Sequence, residues 1–136
     1  MFAWPIRVYY EDTDLSGVVY HASYLRFLER ARTEWLRALG FSQERLKDEL
    51  GVVFTVAGME IEFRRPARLD DLLEATVALE GRKRASLNFV QSLRRADDAA
   101  VLLTQARVRV ACVSMATFRP CALPGGIFAA VEDSRQ

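Results

Sequence analysis

Two aspartates and the chain's one histidine stand close together in the run Tyr10-Glu11-Asp12-Thr13-Asp14-Leu15-Ser16-Gly17-Val18-Val19-Tyr20-His21. An apolar-striped segment of helical period begins directly after it. The first N–H groups of a helix lack intrahelical partners and sit at the positive end of its dipole. They can polarise a carbonyl oxygen and hold the oxyanion that follows. A carboxylate within reach can attack the carbonyl carbon or take a proton from water. Gly17 permits a tight backbone path beneath a ligand. The same residues also have ordinary structural uses. Asp12 and Asp14 at a strand end form turns. His21 can be a satisfied structural histidine, and Tyr20 and Tyr24 suit a core. Glu29 and Glu34, further along, read as solvated helix charges, with a nucleophilic glutamate as the alternative. Arg64, Arg65, Arg82, Arg84, Arg94 and Arg95 read as a solvated sheet rim or as a receiver for the phosphates of a carrier.

Other chemistries have no residues to carry them. The chain contains no GxGxxG, no P-loop, no HExxH and no GxSxG. With one histidine, and with Cys112 and Cys121 lacking CxxC spacing, the sequence offers no zinc set and does not indicate a disulfide. No metal and no bound cofactor is expected. A net charge of +1 is too small a surplus for wrapping nucleic acid. No segment reaches the apolar length of a membrane span. The start Met1-Phe2-Ala3-Trp4-Pro5 lacks the basic and apolar parts of a signal peptide, so a cytoplasmic location is expected.

The elements that must position these groups follow from periodicity. Ile6 to Tyr10 is β-branched and aromatic, which predicts a strand, and Glu11 to Gly17 is turn chemistry. Tyr24, Leu28, Ala31, Trp35 and Leu39, with Phe27 beside them, form one stripe on a helix from about Ala22 to Leu39. Gly40 is a natural stop, and Ser42 caps a shorter helix reaching about Leu50. After Gly51 the period drops to two. Met59, Ile61 and Phe63 lead the first of four alternating runs. Leu73 to Leu79, Leu87 with Phe89, and Ala106 to Cys112 lead the others. Short breaks at residues 65–71, 81–83 and 94–98 suit antiparallel neighbours. The tail after Pro124 reads as small, polar and frayed. The whole predicts one domain over residues 1–136 of α+β class, a helix and a sheet covering each other's apolar faces.

Trp4 to Asp14 and Gly17 to Tyr24 closely resemble the YbgC family of acyl-CoA thioesterases, associated with the Tol-Pal system, within the 4-hydroxybenzoyl-CoA thioesterase superfamily. The likeness continues through Phe27, Glu29 to Glu34 and Leu36. It reappears in Pro66 to Glu74, in Ala85-Ser86-Leu87 and in Arg119 to Pro124. The resemblance implies a hot-dog fold, a long central helix wrapped by a curved antiparallel sheet. It implies a homo-oligomer, dimer or homotetramer, with sheets joined edge to edge and active sites at the dimer interface. By the same resemblance Asp14 is the catalytic carboxylate. The N–H at His21 activates the thioester carbonyl, the His21 side chain takes part, and Tyr10 lies near the site. Gly17, Val19 and Tyr20 belong to the substrate-binding loop, and Arg94 and Arg95 meet the CoA phosphates. Leu15-Ser16 stands where relatives often have Ala-Gly, and Ser114-Met115 where they have Asp-Pro. Leu15 is expected to reshape the mouth of the site, and neither departure to touch the chemistry.

The expected activity is hydrolysis of an acyl-CoA thioester to free acid and CoA, with Asp14 as nucleophile or general base. The alternative is a module that binds an acyl chain or acyl carrier protein with little hydrolysis. A third reading keeps the fold and takes acyl carrier protein thioesters.

Overall fold

The computed structural model describes residues 1–134. In chain order they form β1 (Phe2–Arg7), a 3₁₀ turn (Tyr10–Asp12), α1 (His21–Ala38), α2 (Gln43–Leu50), β2 (Val52–Phe63), β3 (Leu72–Lys83), β4 (Ser86–Arg95), β5 (Leu102–Ser114) and α3 (Gly125–Ser134). The five strands make one antiparallel sheet in the order β1-β3-β4-β5-β2. The α+β expectation therefore holds, with α1 lying on the apolar face of the sheet.

The helix does what its stripe requires. Tyr24, Phe27, Leu28, Ala31, Trp35 and Leu36 are buried. They meet Leu73, Ala75 and Val77 of β3, Leu87, Phe89 and Leu93 of β4, and Ala106, Val108 and Val110 of β5 in one core. The Trp35 and Phe89 rings meet edge to face at 5.1 Å. One polar group sits in this layer. Gln91 is fully buried; its amide donates to the Leu28 and Thr76 carbonyls, and its oxygen accepts from Arg32. Ser42 caps α2 by accepting from the Arg45 N–H, and Gly51 ends that helix at φ +66°, as the sequence predicts.

Three expectations need correction. The first strand lies at Phe2–Arg7 rather than Ile6–Tyr10, because it is set by pairing from Phe2↔Val77 to Arg7↔Leu72. Pro5 is tolerated because β1 is an edge strand. Tyr10 then enters the 3₁₀ turn. The stretch Gly81-Arg82-Lys83 is strand, not loop: the β3–β4 register shifts between Leu79 and Gly81, a bulge that breaks the alternation without ending the ladder. The segment after Pro124 is a helix, with Ile127 and Val131 one turn apart and both fully buried. Arg135 and Gln136 lie outside the described residues. A second bulge, between Val56 and Gly58, puts Phe54 and Val56 on the core face before it and Met59 and Ile61 on that face after it.

Candidate active site

The loop between β1 and α1 is held by backbone geometry. Asp14 N–H donates to the Val18 carbonyl, and Gly17 N–H donates to the Asp14 carbonyl. Gly17 turns the chain at φ +82°, a conformation that disfavours side chains. Thr13 bridges Val19, and Val18 bridges Arg68. Val19 is buried, and its N–H donates to Ala67; Tyr20 N–H donates to Asp12. Tyr24 reaches across from α1, its hydroxyl accepting from the Ala67 N–H at 2.9 Å. A braced loop thus ends at the first residue of α1.

The two aspartates separate cleanly. Asp12 is buried, and its carboxylate accepts from the Tyr9 N–H, so it is a turn former. Asp14 is exposed, and its Oδ1 accepts from Ser16 twice, from the N–H at 2.8 Å and from the hydroxyl at 2.5 Å. These bonds hold its carboxyl below the usual 3.8 of an aspartate, the hydroxyl contributing most, with His21 adding a smaller pull. Hydrogen bonds to the charged form lower a carboxyl pKa. The proton therefore leaves at lower pH, and Asp14 stays ionised until the pH falls through that lowered value. A carbon-13 titration of the Asp14 side chain is expected to give a midpoint below 3.8. A midpoint above it would remove the proposed hydrogen bonds from the solution state.

The helix start is open. Tyr20 occupies the N-cap position and makes no side-chain cap hydrogen bond. The Ser23 N–H bends back to the Tyr20 carbonyl. The N–H groups of His21 and Ala22 precede any intrahelical acceptor. The exposed His21 ring packs on Phe63 at 4.7 Å, edge to face, and its centroid lies 6.4 Å from that of Tyr20. Phe63, at the far end of β2 and 42% exposed, also meets Tyr24 at 5.4 Å.

The remaining expected residues fall as follows. Gly17, Val19 and Tyr20 lie in the loop with Asp14. Tyr10 is 82% exposed on the 3₁₀ turn, and its carbonyl rather than its ring serves the loop, accepting from Thr13. Arg94 and Arg95 end β4 and already face carboxylates: Arg94 lies beside Glu74, and Arg95 between Asp71 and Asp97. Glu29 lines a different feature, a cleft of about 110 Å³ between α1 and β2 walled by Arg32, Trp35, Phe54 and Phe89. Glu29 there accepts from the Thr33 hydroxyl.

Two site residues escaped the sequence reading. Phe63 was placed only in an alternating strand, and its ring contact with His21 arises from long-range packing. Ser16 was expected not to touch the chemistry. The structure nonetheless puts both of its donors, the N–H and the hydroxyl, on the Asp14 carboxylate. The spacing Asp-x-Ser was the available signal, because an aspartate commonly accepts from the residue two positions on. Leu15, next to Asp14 in the chain, is fully exposed.

Residues 8–131 match the family model of the thioesterase-like superfamily. The chain is 50% identical over 129 residues to the acyl-CoA thioester hydrolase YbgC of Escherichia coli O6:H1, covering 95% of this chain and 94% of that protein. It is 46% identical to the acyl-CoA thioesterase YbgC of Haemophilus influenzae, covering 95% and 93%. Among solved structures, a probable thioesterase from Bartonella henselae superposes with a TM-score of 0.83 at 37% identity, covering 90% of this chain and 98% of that one. A 1,4-dihydroxy-2-naphthoyl-CoA thioesterase from Synechocystis superposes with a TM-score of 0.90 over 99% and 98%, at 23% identity, and so speaks to fold alone. The expected hot-dog fold is the fold found.

Proposed function

The chain belongs to the YbgC family of acyl-CoA thioesterases within the thioesterase-like superfamily, and on that premise we propose that it hydrolyses acyl-CoA thioesters with Asp14 as the catalytic carboxylate. The observation that carries the reading is one braced loop delivering an ionised aspartate next to an uncapped helix start. The thioester oxygen lies against the N–H groups at His21 and Ala22. Charge that develops on that oxygen is met by fixed donors that need no reorganisation. Asp14 either attacks the carbonyl carbon or takes the proton from an attacking water. In both routes the C–S bond breaks and its electron pair leaves on the CoA sulfur; in the first, water then opens the mixed anhydride, releasing the acid and restoring the Asp14 carboxylate. A thiolate leaves readily, so a carboxylate and an oxyanion site suffice without a triad.

His21 has two contributions, its backbone N–H and its ring. The ring rests on Phe63, which holds it beside the loop. Proton delivery to the departing thiolate or orientation of water is its role in this reading. His21→Ala keeps the backbone donor and removes the ring, and kcat is expected to fall about tenfold. Steady-state hydrolysis measures this, and an unchanged rate would return the ring to a structural part. Tyr10 takes a place near the site only from the edge of the loop. Arg94 and Arg95 would have to exchange their present carboxylate partners for CoA phosphates.

The working unit is a homo-oligomer. β2 is an edge strand whose Thr55, Val56 and Ala57 are exposed, a row that a second copy can extend. Edge pairing of two β2 strands would bring a second chain close to Phe63, itself in contact with His21. The substrate is an acyl-CoA, with acyl carrier protein as the alternative carrier, and the place of work is the cytoplasm. No helix among the described residues is long and apolar enough to cross a membrane. A panel of acyl-CoA and acyl carrier protein thioesters tests the reading. Turnover confined to the carrier-protein thioesters would change the substrate, and acyl binding without any turnover would favour a binding module.

A further inference from the structure

Asp14 sits on a loop whose backbone is braced by hydrogen bonds and whose residues 14–17 are exposed. Leu15 is fully exposed, and Ser16 and Gly17 are exposed. Among the described residues, the Asp14 carboxylate makes no salt bridge, and its hydrogen bonds are the two from Ser16. Both donors fall on the same oxygen. An exposed aspartate with free rotamers would spend much of its time in orientations that cannot meet a substrate at the helix start.

We propose that Ser16 is a positioning residue for hydrolysis: its hydroxyl and N–H together clamp Oδ1 of Asp14 and present Oδ2 to the thioester. This rests on the reading of Asp14 as the catalytic carboxylate. If Asp14 attacks, a bond forms from Oδ2 to the carbonyl carbon, the C–S pair leaves on sulfur, and Oδ1 becomes the carbonyl oxygen of the anhydride. If Asp14 is a base, Oδ2 takes the water proton while Oδ1 keeps both hydrogen bonds. Either way the clamp fixes the orientation of the working oxygen. It also sets basicity, because donors on Oδ1 stabilise the charged form. The other ionisable groups that sense Asp14 are His21 and Tyr24, both on α1. Arg68 lies on the segment bridging Val18.

The backbone N–H survives substitution, so the hydroxyl can be tested alone. Ser16→Ala removes it, and Ser16→Thr retains it. Ser16→Ala is expected to lower kcat about tenfold with KM within about twofold. The carbon-13 titration midpoint of Asp14 is expected to rise in the same variant. Ser16→Thr is expected to restore both readouts. A merely structural loop residue would not move the Asp14 titration. The inference is overturned if Ser16→Ala keeps the wild-type kcat and Asp14 midpoint, or if Ser16→Thr is as impaired as Ser16→Ala. Asp14→Asn is measured alongside. If it is inactive while Ser16→Ala matches wild type, only the role of Ser16 fails. If Asp14→Asn turns over normally, the reading of Asp14 itself fails.

Discussion

Asp14→Asn is expected to lower kcat about a thousandfold while leaving the protein folded. The amide oxygen can still accept from the Ser16 N–H, so the turn that carries the residue keeps its geometry. The side chain is exposed, and such surface changes normally move stability by no more than about 0.5 kcal/mol. What disappears is the negative oxygen itself. An amide oxygen neither attacks a thioester at a useful rate nor holds a proton taken from water. Circular dichroism and thermal melting should match wild type, while thiol release falls to near background. The open helix start should still bind substrate, so KM should change far less than kcat. Equal losses in melting temperature and turnover would mean that Asp14 serves the fold.

The second large effect is expected at the sheet edge. Ala57 is exposed in β2 and is the extra residue at the bulge between Val56 and Gly58, without a partner in the β5 register. Replacing it by aspartate leaves the β2–β5 ladder intact and puts a charge on the free edge. A two-fold interface would repeat that charge on the facing strand, so like charges accumulate where two copies meet. Ala57→Asp is expected to convert the proposed homo-oligomer to monomer in sedimentation velocity. Turnover is expected to fall about a hundredfold if the substrate is oriented at that interface, as the proposed assembly has it. A monomeric variant with full activity would place the whole site within one chain.

Much of the fold could be read from periodicity, for a physical reason. Tyr24, Leu28, Ala31 and Trp35 repeat at helical spacing because one helix face covers one sheet face, and all four are buried as the pattern requires. Ser42 and Gly51 mark the ends of α2 through local hydrogen bonding and local backbone conformation, which short sequence windows contain. The misreadings share a different origin. Ile6 to Tyr10 has strand chemistry, but the strand lies where β3 provides partners, and pairing is non-local. Gly81 suggests a break because a bulge disturbs alternation as a loop does. After Pro124, two glycines and small residues conceal the Ile127–Val131 pair that docks α3.

The candidate site divides in the same way. Asp14, Gly17 and the helix start at His21 lie within eight residues and could be placed together from the sequence. Residue chemistry alone does not separate Asp12 from Asp14, which only the family resemblance singles out, because burial decides between them: one carboxylate caps the turn, and the other faces solvent. Phe63 enters through packing across β2 and α1, which no local pattern encodes. Ser16 was within view as a departure from relatives, but its significance depends on where its hydroxyl points. Arg94 and Arg95 show the limit of charge counting. Their register opposite β3 puts Arg94 beside Glu74, and Asp71 just before β3 and Asp97 just after β4 give Arg95 two aspartates.

The most direct test of the account is thiol release from a panel of acyl-CoA thioesters, short aliphatic to long-chain and aromatic, by wild type and Asp14→Asn side by side. The account predicts turnover of at least one class by wild type and near-background release by the variant across the panel. Equal release by both proteins would contradict it, because hydrolysis would then proceed without the carboxylate that the loop presents to the helix start.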